Sequence, residues 1–269
     1  MRRSIMAHMV AFYPDREGSL QTARALADGG ARYLEVQFPF SDPTADGPLI
    51  QEACRRALRQ GFKARLGFEL VGEIVKACRL PVFVMAYANA AYFNGVGRFV
   101  EAAAESGAVG VIVPDLPPDF DEGLFEEAGR AGVQAVPVVA PSTPDERLKA
   151  ALPSGGGFVY AALRAGITGA YTEIGEDNIA FLKRAARRGG KILAGFGISD
   201  AKQVDALAPY VHACVVGSAF VRVVSETISR ERVGRTGGAS AAGAQPEAVP
   251  GFVERVYRSV RRKMESLAG

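Results

Sequence analysis

Residues 34–48 read LEVQFPFSDPTADGP and join a short apolar strand pattern to a turn-forming loop. Glu35 is a carboxylate within the strand pattern, whereas Asp42 and Asp46 lie in the loop that follows. Burying a charge in a strand costs free energy unless the charge has a task, because loss of water disfavours the ionised form. Carboxylates in different surroundings can act as an acid and a base of different strength. The stretch therefore predicts acid–base chemistry at a strand end.

Outward from this stretch, short apolar segments alternate with longer amphipathic ones. The predicted strands are 5–12, 32–38, 82–87, 109–113, 133–139, 157–161, 191–194 and 213–216. The predicted helices are 18–28, 66–78, 96–106, 120–131, 144–152, 177–188, 200–207 and 252–267. This α/β alternation indicates parallel strands with crossover helices, and eight units predict a single (β/α)8 TIM barrel over residues 1–269. An open doubly wound sheet is the alternative, but no GxGxxG fingerprint follows the first strand.

Composition and charge narrow the class of protein. A formal net charge of +3 offers no electrostatic case for a nucleic-acid partner. No apolar run reaches the ~20 residues that span a bilayer, and the first residues show no signal-peptide cleavage site. Three widely separated cysteines without a CxxC pair predict reduced thiols rather than disulfides or a metal site. We therefore expect a cytoplasmic protein that binds neither metal, nucleic acid nor membrane.

The C-terminal region combines a linker-like stretch with an amphipathic helix. Residues 230–249 are rich in glycine, alanine and serine, which predicts a flexible insertion without a binding role. The helix that follows has an apolar stripe at three- and four-residue intervals. The members of this stripe are Val253, Val256, Val260, Met264 and Leu267.

Glycine-rich turns follow three of the late strands, at 166–169, 195–197 and 216–218. Glycine lets backbone N–H groups approach a phosphate closely, and a helix beginning at 217–218 would point its positive end at an anion. Tight turns alone are the other interpretation of these glycines. Barrels often bind phosphate at their last loops, so we predict a phosphate site. Its residues are Gly169, Gly197, Gly217 and Ser218.

The order of these motifs closely resembles the tryptophan synthase alpha subunit family. The stretch 34–48 matches the family signature, and the resemblance continues through MAYAN at 85–89, PDLP at 114–117, RAGITG at 164–169, GFGI at 195–198 and GSA at 217–219. It spans nearly the whole chain. The resemblance implies a lyase of tryptophan biosynthesis, which cleaves indole-3-glycerol phosphate into indole and glyceraldehyde 3-phosphate by a retro-aldol reaction.

The resemblance also implies roles for individual residues. Glu35 and Asp46 would be catalytic: Asp46 would accept a hydrogen bond from the indole nitrogen, and Glu35 would protonate C3 and then take the hydroxyl proton. Residues 164–177 are expected to form a mobile lid that brings Thr168 to Asp46, with a plain disordered loop as the other interpretation. Tyr87 is expected to line the indole slot with Met85 and Phe196, and ordinary barrel core is the other interpretation of these three. The substrate-binding residues would be His8, Met85, Tyr160, Thr168 and Phe196.

A partner follows from the same resemblance. We expect a separate beta subunit, joined in an α2β2 heterotetramer, to bind pyridoxal phosphate, so that this chain needs no cofactor of its own. The surface expected to meet that partner includes Asp42, Pro43 and Asp115.

Some positions depart from the family pattern. The family usually has an extra helix before the first strand, which here is predicted to begin near residue 5. His8 stands where an aromatic residue contacts indole, Gln37 replaces a glycine, and residues 12–13 replace a glycine–aspartate turn. Two alternatives stay open: a weakly catalytic regulatory subunit that activates a beta subunit, and a barrel that uses another indole or sugar phosphate. Retention of Glu35 and Asp46 argues against the first, and the DPTADG loop argues against the second.

Overall fold

The strands of the computed structural model form one parallel sheet; the structure describes residues 3–93, 95–151, 157–164, 166, 168–235 and 251–269. The strands are β1 (Ile5–Val10), β2 (Tyr33–Gln37), β3 (Val82–Met85), β4 (Gly110–Ile112), β5 (Gln134–Val136), β6 (Val138–Val139), β7 (Phe158–Ala162), β8 (Lys191–Gly195) and β9 (Ala213–Val216). Their order across the sheet is β5-β4-β3-β2-β1-β9-β8-β7-β6. Because β5 and β6 are consecutive in the chain, the two edges of the sheet meet and close a barrel.

Pro137 divides the predicted strand 133–139 into β5 and β6. Proline has no backbone N–H, so it interrupts strand pairing at that point. Its carbonyl still accepts a hydrogen bond from Tyr160 N at 2.9 Å. With β5 and β6 counted as one interrupted strand, the predicted (β/α)8 TIM barrel is confirmed.

Helices surround this barrel. Within the described residues they are α1 (Arg16–Asp28), α2 (Pro48–Arg59), α3 (Ala64–Cys78), α4 (Ala88–Phe93), α5 (Val96–Glu105), α6 (Leu124–Ala131), α7 (Asp145–Ala151), α8 (Glu176–Ala185), α9 (Ala201–Leu207), α10 (Ser218–Arg235) and α11 (Phe252–Ala268). The sequence analysis missed α2 and α4. The helix predicted at 120–131 begins only at Leu124, because Glu122 and Gly123 adopt left-handed backbone conformations with φ of 50° and 84°.

The C-terminal helices correct two predictions. Helix α10 continues to Arg235, so the predicted insertion at 230–249 does not begin at residue 230; residues 236–249 lie outside the described ranges. In α11, Phe252 is fully buried and Val253 is only half-buried, whereas the stripe from Val256 to Leu267 is buried as predicted. This stripe packs against α1 and α10.

The barrel interior is filled by aromatic side chains at the amino-terminal ends of its strands. Tyr33, Phe83 and Phe158 pack edge to face, and Tyr33 Oη lies 2.7 Å from His212 Nε2. Because these rings fill one end, the polar side chains of the interior lie toward the carboxyl ends of the strands, where barrels place their sites. Among the described residues, no helix is long and apolar enough to cross a membrane.

Candidate active site

Two buried ionisable side chains face each other across neighbouring strands. The register of β1 and β2 pairs His8 with Glu35, and the two residues are only 6% and 3% exposed. His8 Nδ1 lies 3.5 Å from Glu35 Oε2. His8 Nε2 and Glu35 Oε2 are buried without a hydrogen-bond partner. Buried polar atoms normally have a partner, so these two atoms indicate a ligand position.

Asp46 is held by one side chain from β2 and one from the segment that follows β3. Gln37 Nε2 donates to its Oδ2 at 2.7 Å, and the Tyr87 hydroxyl donates to the same oxygen at 2.9 Å. Burial raises the pKa of Asp46, while His8 and the two donors oppose that increase. Its other oxygen, Oδ1, has a longer contact of 3.5 Å with Thr168 Oγ1. Oδ1 can therefore accept a further hydrogen bond from a ligand.

Residues 168–172 lie against the loop that carries Asp46 and against the turn after β8, in the position expected of the predicted lid when closed. Thr168 N donates to Ala45 O at 3.0 Å, and Gly47 N donates to Thr168 Oγ1 at 2.9 Å. At its other end, Thr172 N donates to Gly197 O at 3.1 Å. The predicted approach of Thr168 to Asp46 is thus present in this conformation.

One cavity beneath the lid collects most of the predicted site residues. Its empty volume is about 600 Å³, including space open to solvent. Apolar side chains, among them Ile112, Val138 and Val215, form part of its wall and suit a flat ring. The predicted residues that line it are His8, Glu35, Asp46, Met85, Tyr160, Thr168, Phe196, Gly197, Gly217 and Ser218.

Three of the four predicted phosphate residues, Gly197, Gly217 and Ser218, meet at one rim of this cavity. Helix α10 begins at Ser218, so its free N–H groups face the rim, although the helix is longer than the short one expected. A Cβ at Gly197 would overlap Thr172 Oγ1, and its φ of 79° also favours glycine. Gly169 does not line the main cavity. It lines an adjoining surface cavity with Gly197, Ser218 and Arg222.

The structure corrects two predicted positions. Pro43 is buried, so its side chain is not on the surface that was expected to meet a partner, whereas Asp42 and Asp115 are exposed. Pro43 instead shapes the site loop, because its carbonyl accepts from Asp46 N at 3.0 Å. Tyr87 does not line the cavity; its hydroxyl donates to Asp46.

Three contributions escaped the sequence analysis. Gln37 was noted as a departure, but its bond to Asp46 was not anticipated; its two-residue spacing from Glu35 places both side chains on the inner face of β2. The bond from the Tyr87 hydroxyl to Asp46 was also not anticipated, although Tyr87 lies two residues after Met85 and so faces the same side. Arg222 lies one helical turn beyond Ser218, a spacing from which its position beside the phosphate rim could have been inferred.

No group of three or more histidine, cysteine, aspartate or glutamate side chains in the described part of the chain is arranged to hold a metal ion.

Comparisons with known proteins give a consistent result. The family model for the tryptophan synthase alpha chain matches residues 1–247. The tryptophan synthase alpha chain of Helicobacter hepaticus is 37% identical over 236 residues, which cover 85% of this chain and 88% of that relative. The corresponding protein of a Roseiflexus species is 36% identical over 236 residues, with 87% and 90% covered.

Solved structures extend the similarity to three dimensions. A mutant tryptophan synthase alpha-subunit from Pyrococcus furiosus matches with a TM-score of 0.80 and 33% identity, covering 99% of each chain. A chain of the tryptophan synthase complex from the same organism matches with a TM-score of 0.80 and 32% identity, covering 99% of this chain and 98% of that one. The similarity thus runs through nearly the whole length of these chains.

Proposed function

The chain belongs to the tryptophan synthase alpha chain family, and on that premise we propose that its active site is the cavity beneath residues 168–172. The chain is a lyase of tryptophan biosynthesis that cleaves indole-3-glycerol phosphate into indole and glyceraldehyde 3-phosphate. The observation that carries the assignment of the site is the burial of Glu35 and Asp46 in this one cavity.

Two proton transfers are needed for the cleavage. The bond between indole C3 and the glycerol chain does not break while the ring is aromatic, so C3 must first gain a proton. Positive character then develops on the ring nitrogen, and Asp46 would accept the N–H hydrogen bond through Oδ1, whose contact with Thr168 Oγ1 is a long 3.5 Å. The neighbouring hydroxyl must lose its proton as the bond breaks, and Glu35 would accept that proton through Oε2, which has no hydrogen-bond partner.

Other side chains prepare the cavity. Burial raises the pKa of Tyr160 well above its ordinary value, and the carboxylates of Glu35 and Asp46 raise it further. Tyr160 therefore stays a neutral hydroxyl that can donate a hydrogen bond within the site. Lid closure by Thr168 excludes water and completes the cavity.

The phosphate of the substrate would bind at the rim formed by Gly169, Gly197, Gly217 and Ser218. The N-terminal N–H groups of α10 offer hydrogen bonds and a favourable dipole to an anion. Arg222 adds a positive charge beside the same rim. The indole ring would then occupy the apolar end of the cavity, near Met85 and Phe196.

The chain acts as the alpha subunit beside a beta subunit. We assign Asp42 and Asp115 to the contact surface, together with Phe93 at the end of α4 and Phe120 after β4, which are 86% and 72% exposed. Large exposed aromatic side chains of this kind are typical of protein interfaces. Pyridoxal phosphate would belong to the beta subunit, because the cleavage itself needs only proton transfers. The three free cysteines suit a reducing compartment, so we also propose a cytoplasmic location.

The test is cleavage of indole-3-glycerol phosphate by the purified chain, with and without a cognate beta subunit. We expect Glu35→Gln and Asp46→Asn each to lower the turnover number by about 10² or more, since each removes a group used in proton transfer or charge stabilisation. Glu254→Gln on the exposed face of α11 is the matched control and should match the wild type. Complex formation without cleavage would instead support the regulatory-subunit alternative.

A further inference from the structure

The two histidines of this chain lie at opposite ends of the barrel, and one of them adjoins Glu35. We propose that His8 is the general acid of the cleavage, giving the proton on Nε2 to indole C3, while Glu35 is the base that takes the hydroxyl proton. This inference rests on the proposed function, and it divides between two residues the proton transfers that a single carboxylate could serve.

The position of the imidazole ring supports this assignment. On one side, His8 Nδ1 faces Glu35 Oε2 at 3.5 Å. On the other side, His8 Cδ2 would lie 3.0 Å from a Cβ placed on Gly217, at the phosphate rim. The imidazole ring therefore lies between the carboxylate of Glu35 and the rim. The three-carbon chain of the substrate must cross this gap, and indole C3 is the atom at which that chain begins.

The unpartnered atoms point to the same use. His8 and Glu35 both line the cavity, and His8 Nε2 and Glu35 Oε2 are buried without a hydrogen-bond partner. A phenylalanine would fill the space of His8 without leaving a polar atom unpaired. A buried unpaired polar atom is costly, so a group in this position is expected to bind or react with a ligand.

The electrostatic surroundings favour the charged form of His8. Burial alone would lower its pKa, but the carboxylates of Glu35 and Asp46, with a smaller contribution from Gln37, raise the pKa above its ordinary value. Tyr160 is the other titratable group in the cavity wall, and it is neutral. The turn at 217–218 carries no titratable group. The raised pKa favours the imidazolium form of His8, which places an acid beside the carboxyl group of Glu35.

The proton and electron balance closes with these two residues. The N–H bond at His8 Nε2 breaks as C3 gains its proton. The hydroxyl O–H bond then breaks toward Glu35 Oε2, and its electron pair forms the aldehyde C=O. The pair of the breaking carbon–carbon bond returns to the ring and restores aromatic indole. Exchange with water, once the lid opens, takes one proton from Glu35 and returns one to His8.

The pH profile of the rate tests this proposal in the complex with the beta subunit, by single-turnover cleavage of indole-3-glycerol phosphate. We expect His8→Phe to cleave about 10²-fold more slowly than the wild type at pH 8, with KM little changed. The deficit should shrink at acidic pH, where acid from the solution can replace the missing proton donor. His8→Gln should behave in the same way, since it keeps a polar side chain but cannot act as an acid.

Controls separate the possible failures. His212→Asn, at the opposite end of the barrel, should keep the wild-type profile. A His8→Phe enzyme with the wild-type rate and profile would overturn the proposal, and so would a loss of equal size at every pH, which indicates a structural role. Absence of cleavage by the wild type, with or without the beta subunit, would instead refute the proposed function itself. Thermal melting of each variant checks that it is folded.

Discussion

Gly47 gives the sharpest test of the closed lid. A Cβ at this position would overlap the carbonyl oxygen of Thr168, although the backbone of Gly47, with φ of −78° and ψ of 170°, accepts any residue. The Gly47→Ala substitution should therefore leave the barrel intact and act on the lid alone. To reach ordinary van der Waals distance, the Thr168 carbonyl must withdraw by about 1 Å, a displacement that can cost about 10² in rate when it misplaces reacting groups.

The hydrogen bonds that would be lost give a second estimate of the decrease in kcat/KM. Withdrawal of Thr168 removes its bond to Ala45 O and the bond that Gly47 N donates to Thr168 Oγ1. At about 1 kcal/mol each, closure becomes about 2 kcal/mol less favourable. Both arguments together predict a kcat/KM lower by about 30- to 100-fold, since 1.4 kcal/mol corresponds to tenfold.

The assay is indole release from indole-3-glycerol phosphate in the presence of the beta subunit, with thermal melting to check the fold. Gly175→Ala is the matched control at the far end of the lid, because a Cβ there meets nothing within 4 Å and its φ is −107°. It should keep wild-type activity. A Gly47→Ala enzyme whose kcat/KM stays within about twofold of the wild type would refute the reasoning that closure against Gly47 is required.

Two further predictions follow from charges and exposure. The imidazoles of His8 and His212 should titrate on opposite sides of the ordinary histidine value in an NMR titration, because carboxylates raise the pKa of His8, whereas burial, Arg32 and Lys191 lower that of His212. The opposite order of titration would contradict the assignment. By linkage, the stability that His8 contributes to the folded state should be fully present below pH ~6.5 and should be lost as the pH rises through its raised pKa. Phe93→Ser and Phe120→Ser should weaken binding of the beta subunit at least tenfold in a titration without changing the melting temperature, and unaltered affinity would exclude this surface.

Much of the architecture could be predicted from local pattern. The alternation of apolar strands and amphipathic helices indicates a barrel, because each element has a characteristic period that its own residues display. Glu35 and Asp46 stood out for a similar reason, since charged groups beside a buried strand are costly. The errors are also local in origin. The apolar residues on either side of Pro137 predict one continuous strand, which the proline interrupts, and the start of α6 depends on the left-handed backbone of Gly123.

The sequence by itself thus determined the class of fold, the acidic pair and the glycine turns, because periodicity and residue chemistry are properties of short segments. Only the tertiary structure decided how these parts act on one another. Strand register places His8 opposite Glu35, the inward face of β2 brings Gln37 to Asp46, and lid closure sets Thr168 against Gly47. Such contacts join residues far apart in the chain, and their geometry depends on packing of the whole barrel, which no local pattern encodes.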